Sequence, residues 1–316
     1  MNAGPLDPSP ILVGVDGGGS HTRVLVSDAD GNKLAAADGA ATALQSVSEQ
    51  TAADIIKSLI QEALESAGRG GIRPSICVAG IAGAGQERAA QALWAALAQR
   101  RVADDISVQS DAIIALDDAF GDSSGVLLIA GTGSVAFSRA PDGHLERCGG
   151  WGPAGGDEGR GAWLGRRALS VIAAAHDGRE PDTALTGAIL TALELEAAED
   201  LVEWAADATP ADYARIAPVV LQVAAGGDLR ANALTSFCVE ELALHVRTLA
   251  RRCFVDERAS IPVAFSGGLL SRGSLVRKRL EQRLKTVVPG AAIKSDDINP
   301  ARGAIRRARR LLGVEL

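Results

Sequence analysis

Ile11-Leu12-Val13-Gly14-Val15-Asp16-Gly17-Gly18-Gly19-Ser20 joins an apolar run, one acid and three consecutive glycines. A second apolar stretch, Val24-Leu25-Val26, follows, and then a turn at Asp30-Gly31. The pattern returns further along as Val126-Leu127-Leu128-Ile129-Ala130-Gly131-Thr132-Gly133-Ser134, Val135-Ala136-Phe137 and a turn at Asp142-Gly143. Each copy reads as strand, glycine-rich hairpin, strand, hairpin, strand. Glycine allows positive φ and removes side chains that would hold a ligand away from the backbone. Successive main-chain N–H groups in such a turn form a nest for anions. Two nests can grip one polyphosphate, so the repeat predicts a nucleotide in a cleft between two halves of similar topology.

The segments between the repeats fill in an α/β architecture. Ser48 to Ala67 carries apolar residues at helical spacing and stops at Gly68; Ser75 to Ala82 is a buried strand. Glu87 to Arg101 is a helix, Ile106 to Asp111 a short strand ending on an acid, and Ala112 to Phe120 a helix. From Asp157 to Glu257 the pattern is almost wholly helical: Ala162 to Ala175, Asp182 to Leu193, Ala197 to Asp207, Asp212 to Ala225 with Pro218 as a kink or boundary, and Leu229 to Phe254. Ile261 to Phe265 is a strand leading into Ser266-Gly267-Gly268, and helices follow over Ser274 to Leu284 and Ala301 to Leu312. With 316 residues, two domains are expected, 1–120 and 121–299, with the boundary near Phe120 to Gly125. Strands joined by helical crossovers give mixed sheets, with extra helices inserted in the second half.

Composition narrows the function. Aromatic residues make up 3% of the chain and the net charge is −7, which disfavours stacking platforms and an electrostatic grip on nucleic acid. The Arg302 to Arg310 stretch reads as one polar helix face. Cys77, Cys148, Cys238 and Cys253 form no C-x-x-C pair, so reduced thiols and no metal cluster are expected. Met1 to Pro10 has neither a basic start nor an apolar run, and no stretch approaches the roughly 20 apolar residues that span a bilayer. A soluble cytoplasmic protein is expected.

Chemistry concentrates at a few positions. Asp16, just before the first glycine run, is placed to hold Mg²⁺ directly or through water, and Ser20 and Thr22 add hydroxyls for phosphate. Asp111 ends a strand between the repeats, where a carboxylate can take the proton of an attacking hydroxyl; it can also cap the helix that follows. Asp117 and Asp118, further along that helix, read as a solvated face. Cys148-Gly149-Gly150-Trp151-Gly152-Pro153-Ala154-Gly155-Gly156-Asp157-Glu158-Gly159-Arg160-Gly161 is a glycine loop that is costly to order unless it binds something, and its acids suit sugar hydroxyls. Gly267 and Gly268, at a strand-to-helix junction, let a flat ring lie against backbone.

Together, Val15 to Thr22, Ser110-Asp111-Ala112, Ala130 to Ser134, Gly149 to Gly152 with Gly156 to Gly159, and Phe265 to Gly268 resemble the BadF/BadG/BcrA/BcrD ATPase family. The resemblance is greatest to its N-acetylglucosamine and glucosamine kinase branch, within the actin/Hsp70/hexokinase superfamily. It implies two ribonuclease H-like (actin-like ATPase) domains around a nucleotide cleft, and an enzyme that uses ATP and Mg²⁺ to phosphorylate the 6-hydroxyl of an amino sugar. By the same resemblance Asp16 orients the metal, while Gly17, Gly18, Gly19, Ser20 and Thr22 with Gly131, Thr132, Gly133 and Ser134 contact phosphates. Gly267 and Gly268 face adenosine. Asp111 is the base, and Asp111, Gly150, Trp151, Gly152, Asp157 and Glu158 hold the sugar. The resemblance also implies that the last helix, in 300–316, packs on the first domain (1–120), and that the protein forms a homodimer as such kinases often do. Two departures concern the sugar's 2-substituent: Ala40 to Gln45 contains no Asn, and Val135 stands where such kinases tend to carry Asn. Two other roles fit the family or the fold, a dehydratase-activating ATPase and a nucleotide-dependent regulatory protein. The first is disfavoured by the scattered cysteines, the second by Asp111.

Overall fold

A computed structural model describes residues 10–152, 155–156, 158–256 and 259–313. The chain divides into two compact units, Met1–Asp122 with Ile298–Leu316, and Ser123–Asp297.

The first unit opens with the meander β1 (Leu12–Gly17), β2 (Thr22–Ser27) and β3 (Lys33–Gly39). It continues with α1 (Glu49–Ser66), β4 (Ile76–Ile81), α2 (Glu87–Gln99), β5 (Asp105–Gln109) and α3 (Asp111–Phe120). The sheet order is β3-β2-β1-β4-β5, with β1 to β3 antiparallel and β4 and β5 running parallel to β1. Side chains alternate across a strand. Val13 and Val15 therefore join the core under α1 and α2, while Leu12 faces the opposite core with Ile114. Ser48 caps α1 by accepting from the Thr51 N–H at 3.1 Å, and the apolar stripe of that helix, Ile56, Leu59, Ile60 and Leu64, is buried.

The second unit repeats this plan with β6 (Gly125–Ala130), β7 (Ser134–Arg139) and β8 (Leu145–Gly149). Its inserted helices are α4 (Gly161–His176), α5 (Leu185–Leu193), α6 (Leu201–Asp207), α7 (Pro210–Ala225) and α8 (Leu229–Cys253). Then come β9 (Ile261–Ser266), α9 (Leu275–Val287) and β10 (Ala291–Ile293). The order β10-β9-β6-β7-β8 has the connectivity and strand directions of the first sheet. Each sheet is thus of the ribonuclease H-like kind, and the α/β class expected from the repeat holds.

Some local expectations shift. Ala197 to Asp207 is a short 3-10 turn over Ala198–Asp200 followed by α6. Helix α7 starts at Pro210, two residues earlier than expected, because Thr209 and Asp212 form a reciprocal capping box and proline suits the first helical position. Pro218 lies inside α7 and does not end it. Burial of its neighbours Ile216, Ala217 and Val220 outweighs the missing backbone bond. Strand β10, three residues long, carries too little pattern to be read from sequence.

The largest correction concerns Asp117 and Asp118. They are 0% and 4% exposed, not a solvated face. Helix α10 (Pro300–Leu311) returns to the first unit and lays Ala301, Ala304, Ile305 and Ala308 against Leu12, Val78 and Ile114. Its arginines meet the two acids. Arg302 binds Asp118 through two parallel bonds of 2.6 and 2.8 Å, and the Asn299 N–H donates to the same carboxylate at 2.7 Å. Arg307 and Arg310 reach Asp117 at 2.9 and 2.7 Å, and Arg310 also pairs with Asp122. Buried carboxylates require such partners. The basic stretch is therefore an internal fastening.

The packing is tight at Gly303, where an added Cβ would lie 1.8 Å from the Ile114 carbonyl oxygen. Gly303→Ala should force α10 away from α3 and cost about 1–3 kcal/mol or more. Gly187→Ala, in α5 with open space around it, should instead stabilise by about 0.5–1 kcal/mol. Urea unfolding of both variants checks the contrast.

Candidate active site

In the first unit the C-terminal ends of three parallel strands lie side by side. Asp16 on β1 is in register with Gly80 on β4, and Gly80 with Gln109 on β5. Two residues after Gln109, Asp111 begins α3. A Cβ on Gly80 would lie 2.2 Å from Ile114 Cδ1, so only glycine there lets the first turn of α3 press down on the middle of the sheet. That brings Asp111 near Asp16.

The electrostatics reflect this neighbourhood. Burial pushes the Asp16 carboxyl up from 3.8 to about 6, and the Asp111 charge pushes the same way, against weaker opposition from His21 and Arg23. Asp111 is also raised by burial, offset in part by backbone N–H groups, and its Oδ1 accepts from the Ala112 N–H at 3.0 Å. Ser110 occupies the cap position of α3 without a side-chain bond. Asp111 is therefore the first residue of the helix, where the positive end of the backbone dipole favours its charge.

The first glycine turn divides its work. Gly17 is buried, and a Cβ on it would meet Thr42 Oγ1 at 2.1 Å and Ile81 Cδ1 at 2.4 Å, so packing alone demands glycine there. The Gly18 N–H closes the hairpin on the His21 carbonyl at 3.0 Å. Gly19 and Ser20 are exposed, and among the described residues nothing accepts from their N–H groups. Thr22 corrects the sequence reading: fully buried, its hydroxyl donates to Ala40 O at 2.6 Å and lies 2.8 Å from Thr42 Oγ1. It braces the turn from behind, with its hydroxyl engaged by Ala40 and Thr42. Thr42, whose N–H also donates to Gly18 O, escaped sequence reasoning because it sits in a stretch without periodicity.

The second unit brings its three predicted segments together. Gly131 donates to Gly133 O at 2.9 Å and accepts from Gly161 N–H at 2.8 Å, so its backbone groups are engaged. Thr132 and Gly133 N–H groups have no acceptor among the described residues. Ser134 is a second correction: buried, its hydroxyl donates to Glu158 O at 2.6 Å. Gly267 has φ +95°, and a Cβ there would lie 2.3 Å from Ala130 O; Gly268 has open space around it, next to Gly131. Gly150 (φ +70°) donates to Ser134 O at 3.1 Å, and Gly152 also has positive φ (+81°). Trp151 is 73% exposed, with the Arg147 guanidinium 5.2 Å above its ring. Glu158 is half-buried, and Asp157 lies outside the described residues. No helix among the described residues is long and apolar enough to cross a membrane.

These paired features, two glycine hairpins on matching sheets and an acid pair at the strand ends, coincide with a family profile that matches residues 13–306, the BadF/BadG/BcrA/BcrD ATPase family. The chain belongs to that family. An N-acetyl-D-glucosamine kinase of Dictyostelium discoideum is 28% identical, over 93% of this chain and 96% of its own. An N-acetylmuramic acid/N-acetylglucosamine kinase of Clostridium acetobutylicum is 27% identical, over 94% and 98%. A crystal structure from Chromobacterium violaceum, described as a candidate N-acetylglucosamine kinase, is 32% identical with a TM-score of 0.78, covering 94% of this chain and 98% of that one.

A carboxyl raised to about 6 when folded, against 3.8 otherwise, gives the native state the extra proton between those values. Its contribution to stability is therefore full below about pH 4 and lost as pH rises through 6. Asp16→Asn removes the buried charge. At pH 8 the variant should be more stable than the parent protein by about 1–3 kcal/mol, and near pH 3.5 the two should match. Urea titrations at both values decide; equal midpoints at pH 8 contradict the argument.

Proposed function

We propose that this protein is an ATP-dependent kinase that transfers the γ-phosphoryl group to the 6-hydroxyl of N-acetylglucosamine or glucosamine. The pair of desolvated carboxyls, Asp16 and Asp111, carries the reading, because phosphoryl transfer to an alcohol needs an acid-base group beside a place for a hard cation. Membership of an ATPase family, and relatives named as kinases of amino sugars, support the choice of phosphoryl donor and acceptor.

Asp111 takes the proton of the sugar hydroxyl as it attacks. Burial raises the Asp111 carboxyl, which strengthens it as a base, while the backbone N–H groups at the helix start favour its charged form. Asp16 fits Mg²⁺ by chemistry: the cation prefers oxygen donors, keeps several waters and uses one or two carboxylates. Bound Mg²⁺ would supply neutralisation of phosphate charge. Burial raises the Asp16 carboxyl and the Asp111 charge adds to it; a cation bound there would favour the charged form against both. The exposed N–H groups of Gly19 and Ser20, and those of Thr132 and Gly133, are the donors for phosphate oxygens; Gly268 leaves room for the adenosine ring. Trp151, Gly150, Gly152 and Glu158 are the sugar-facing residues of the glycine loop.

ADP release measured across a panel of hexoses and hexosamines should show activity that depends on an amino sugar. Asp111→Asn should lower kcat by roughly 10²–10⁴-fold with ATP binding kept. Near-normal turnover in that variant removes the assigned base. Activity with every hexose alike removes the substrate class.

A further inference from the structure

Among the described residues, the first unit has one α-helix, α1, between β3 and β4, whereas the second has five, α4 to α8, between β8 and β9. The longest of these, α8, touches the glycine-rich segment at both of its ends. At the start, Gly149 (φ +78°) closes β8, and a Cβ on it would lie 2.2 Å from His245 Nε2 and 2.5 Å from His245 Cδ2. The imidazole therefore lies directly on the Gly149 backbone. Its ring is held in place, since Nδ1–H donates to the Glu241 carbonyl at 2.6 Å and a carbonyl can only accept.

At the far end, the Cys238 thiol donates to Gly159 O at 3.1 Å. Gly159 also has positive φ (+76°), and a Cβ there would lie 3.0 Å from both Cys238 O and Leu242 Cγ. Cys238, Leu242 and His245 are spaced four and three residues apart and share one face of the helix. Burial pushes the Cys238 thiol up to about 12, so it stays protonated and keeps its hydrogen for the loop carbonyl.

We propose that Cys238 and His245 are positioning residues, which fasten the two ends of the glycine loop to α8 and so set where its sugar-facing residues stand. The proposal rests on the amino-sugar kinase reading for its functional part. Gly150 and Trp151 follow the His245 contact within two residues, and Glu158 directly precedes the Cys238 contact. The Ser134 hydroxyl bond to Glu158 O and the Gly131–Gly161 backbone bond tie the same segment to the phosphate hairpin. Displacing a clamp moves the sugar contacts, and misplacement of about 1 Å can reduce turnover by a hundredfold. The longest of the inserted helices thus has a task.

The experiment compares Cys238→Ala, Cys238→Ser and His245→Ala with Cys253→Ala, a buried cysteine near the other end of the same helix. Sugar KM should rise roughly five- to tenfold in Cys238→Ala and His245→Ala while ATP KM holds, with recovery in Cys238→Ser, which keeps a donor. Amide exchange in peptides over 149–160 should quicken by a similar factor in the two alanine variants and not in Cys253→Ala. If Cys238→Ala and Cys253→Ala behave alike in both measurements, the clamp is wrong. If the parent protein phosphorylates no hexosamine, the substrate reading falls, and the exchange comparison alone still decides the clamp.

Discussion

Two carboxylates without access to water govern the first unit. Asp117 and Asp118 would be strongly destabilising if left alone in the apolar groove beside α3, and arginines from α10 neutralise them. The arrangement fixes more than charge. Ion pairs and the Asn299 N–H set the register of α10 on α3, and the Gly303 contact sets its distance. Helix α3 in turn presents Asp111 at its first position, over a strand whose Gly80 yields to Ile114. The acid proposed as the catalytic base is thus held by contacts that begin two helical turns away.

The two sheets repeat one another, and so does a detail of their glycine hairpins. Thr22 opens β2 and Ser134 opens β7; both are buried, and each hydroxyl donates to a carbonyl in a later loop. In the first hairpin the bond goes to the segment after β3, and in the second to the segment after β8. A hydroxyl at this point is therefore a brace common to both halves, which holds the exposed N–H groups of the turn in place. Pre-placed donors of this kind favour anion binding because little order is lost when the ligand arrives.

Much of this was legible in the residues. The repeated strand–glycine–strand pattern led to both sheets, and helical spacing located α1, α2, α4 and α8 to within a few residues. Asp16 and Asp111 stood out as acids at the close of apolar strand patterns; β5 stops at Gln109 and Asp111 opens α3 instead, and the proximity of the two acids follows from parallel pairing. What escaped notice depends on partners far away in sequence. Asp117 and Asp118 look solvated until residues near 302–310 are folded back on them, and Thr22 and Ser134 look like ligand groups until Ala40 and Glu158 are in place. Likewise nothing in the local pattern around Cys238 or His245 distinguishes them from ordinary core residues.

The discontinuity of the first unit has a consequence during synthesis. Its sheet and α3 leave the ribosome early, yet the arginines that complete it follow only after the whole second unit has been translated. Until then the groove that receives Ala304 and Ile305 is uncovered, and two acids in it lack their counter-charges. The nascent N-terminal half is therefore held in an unfinished state whose closing step is the arrival of the last helix, so the half that emerges first is the one that matures last.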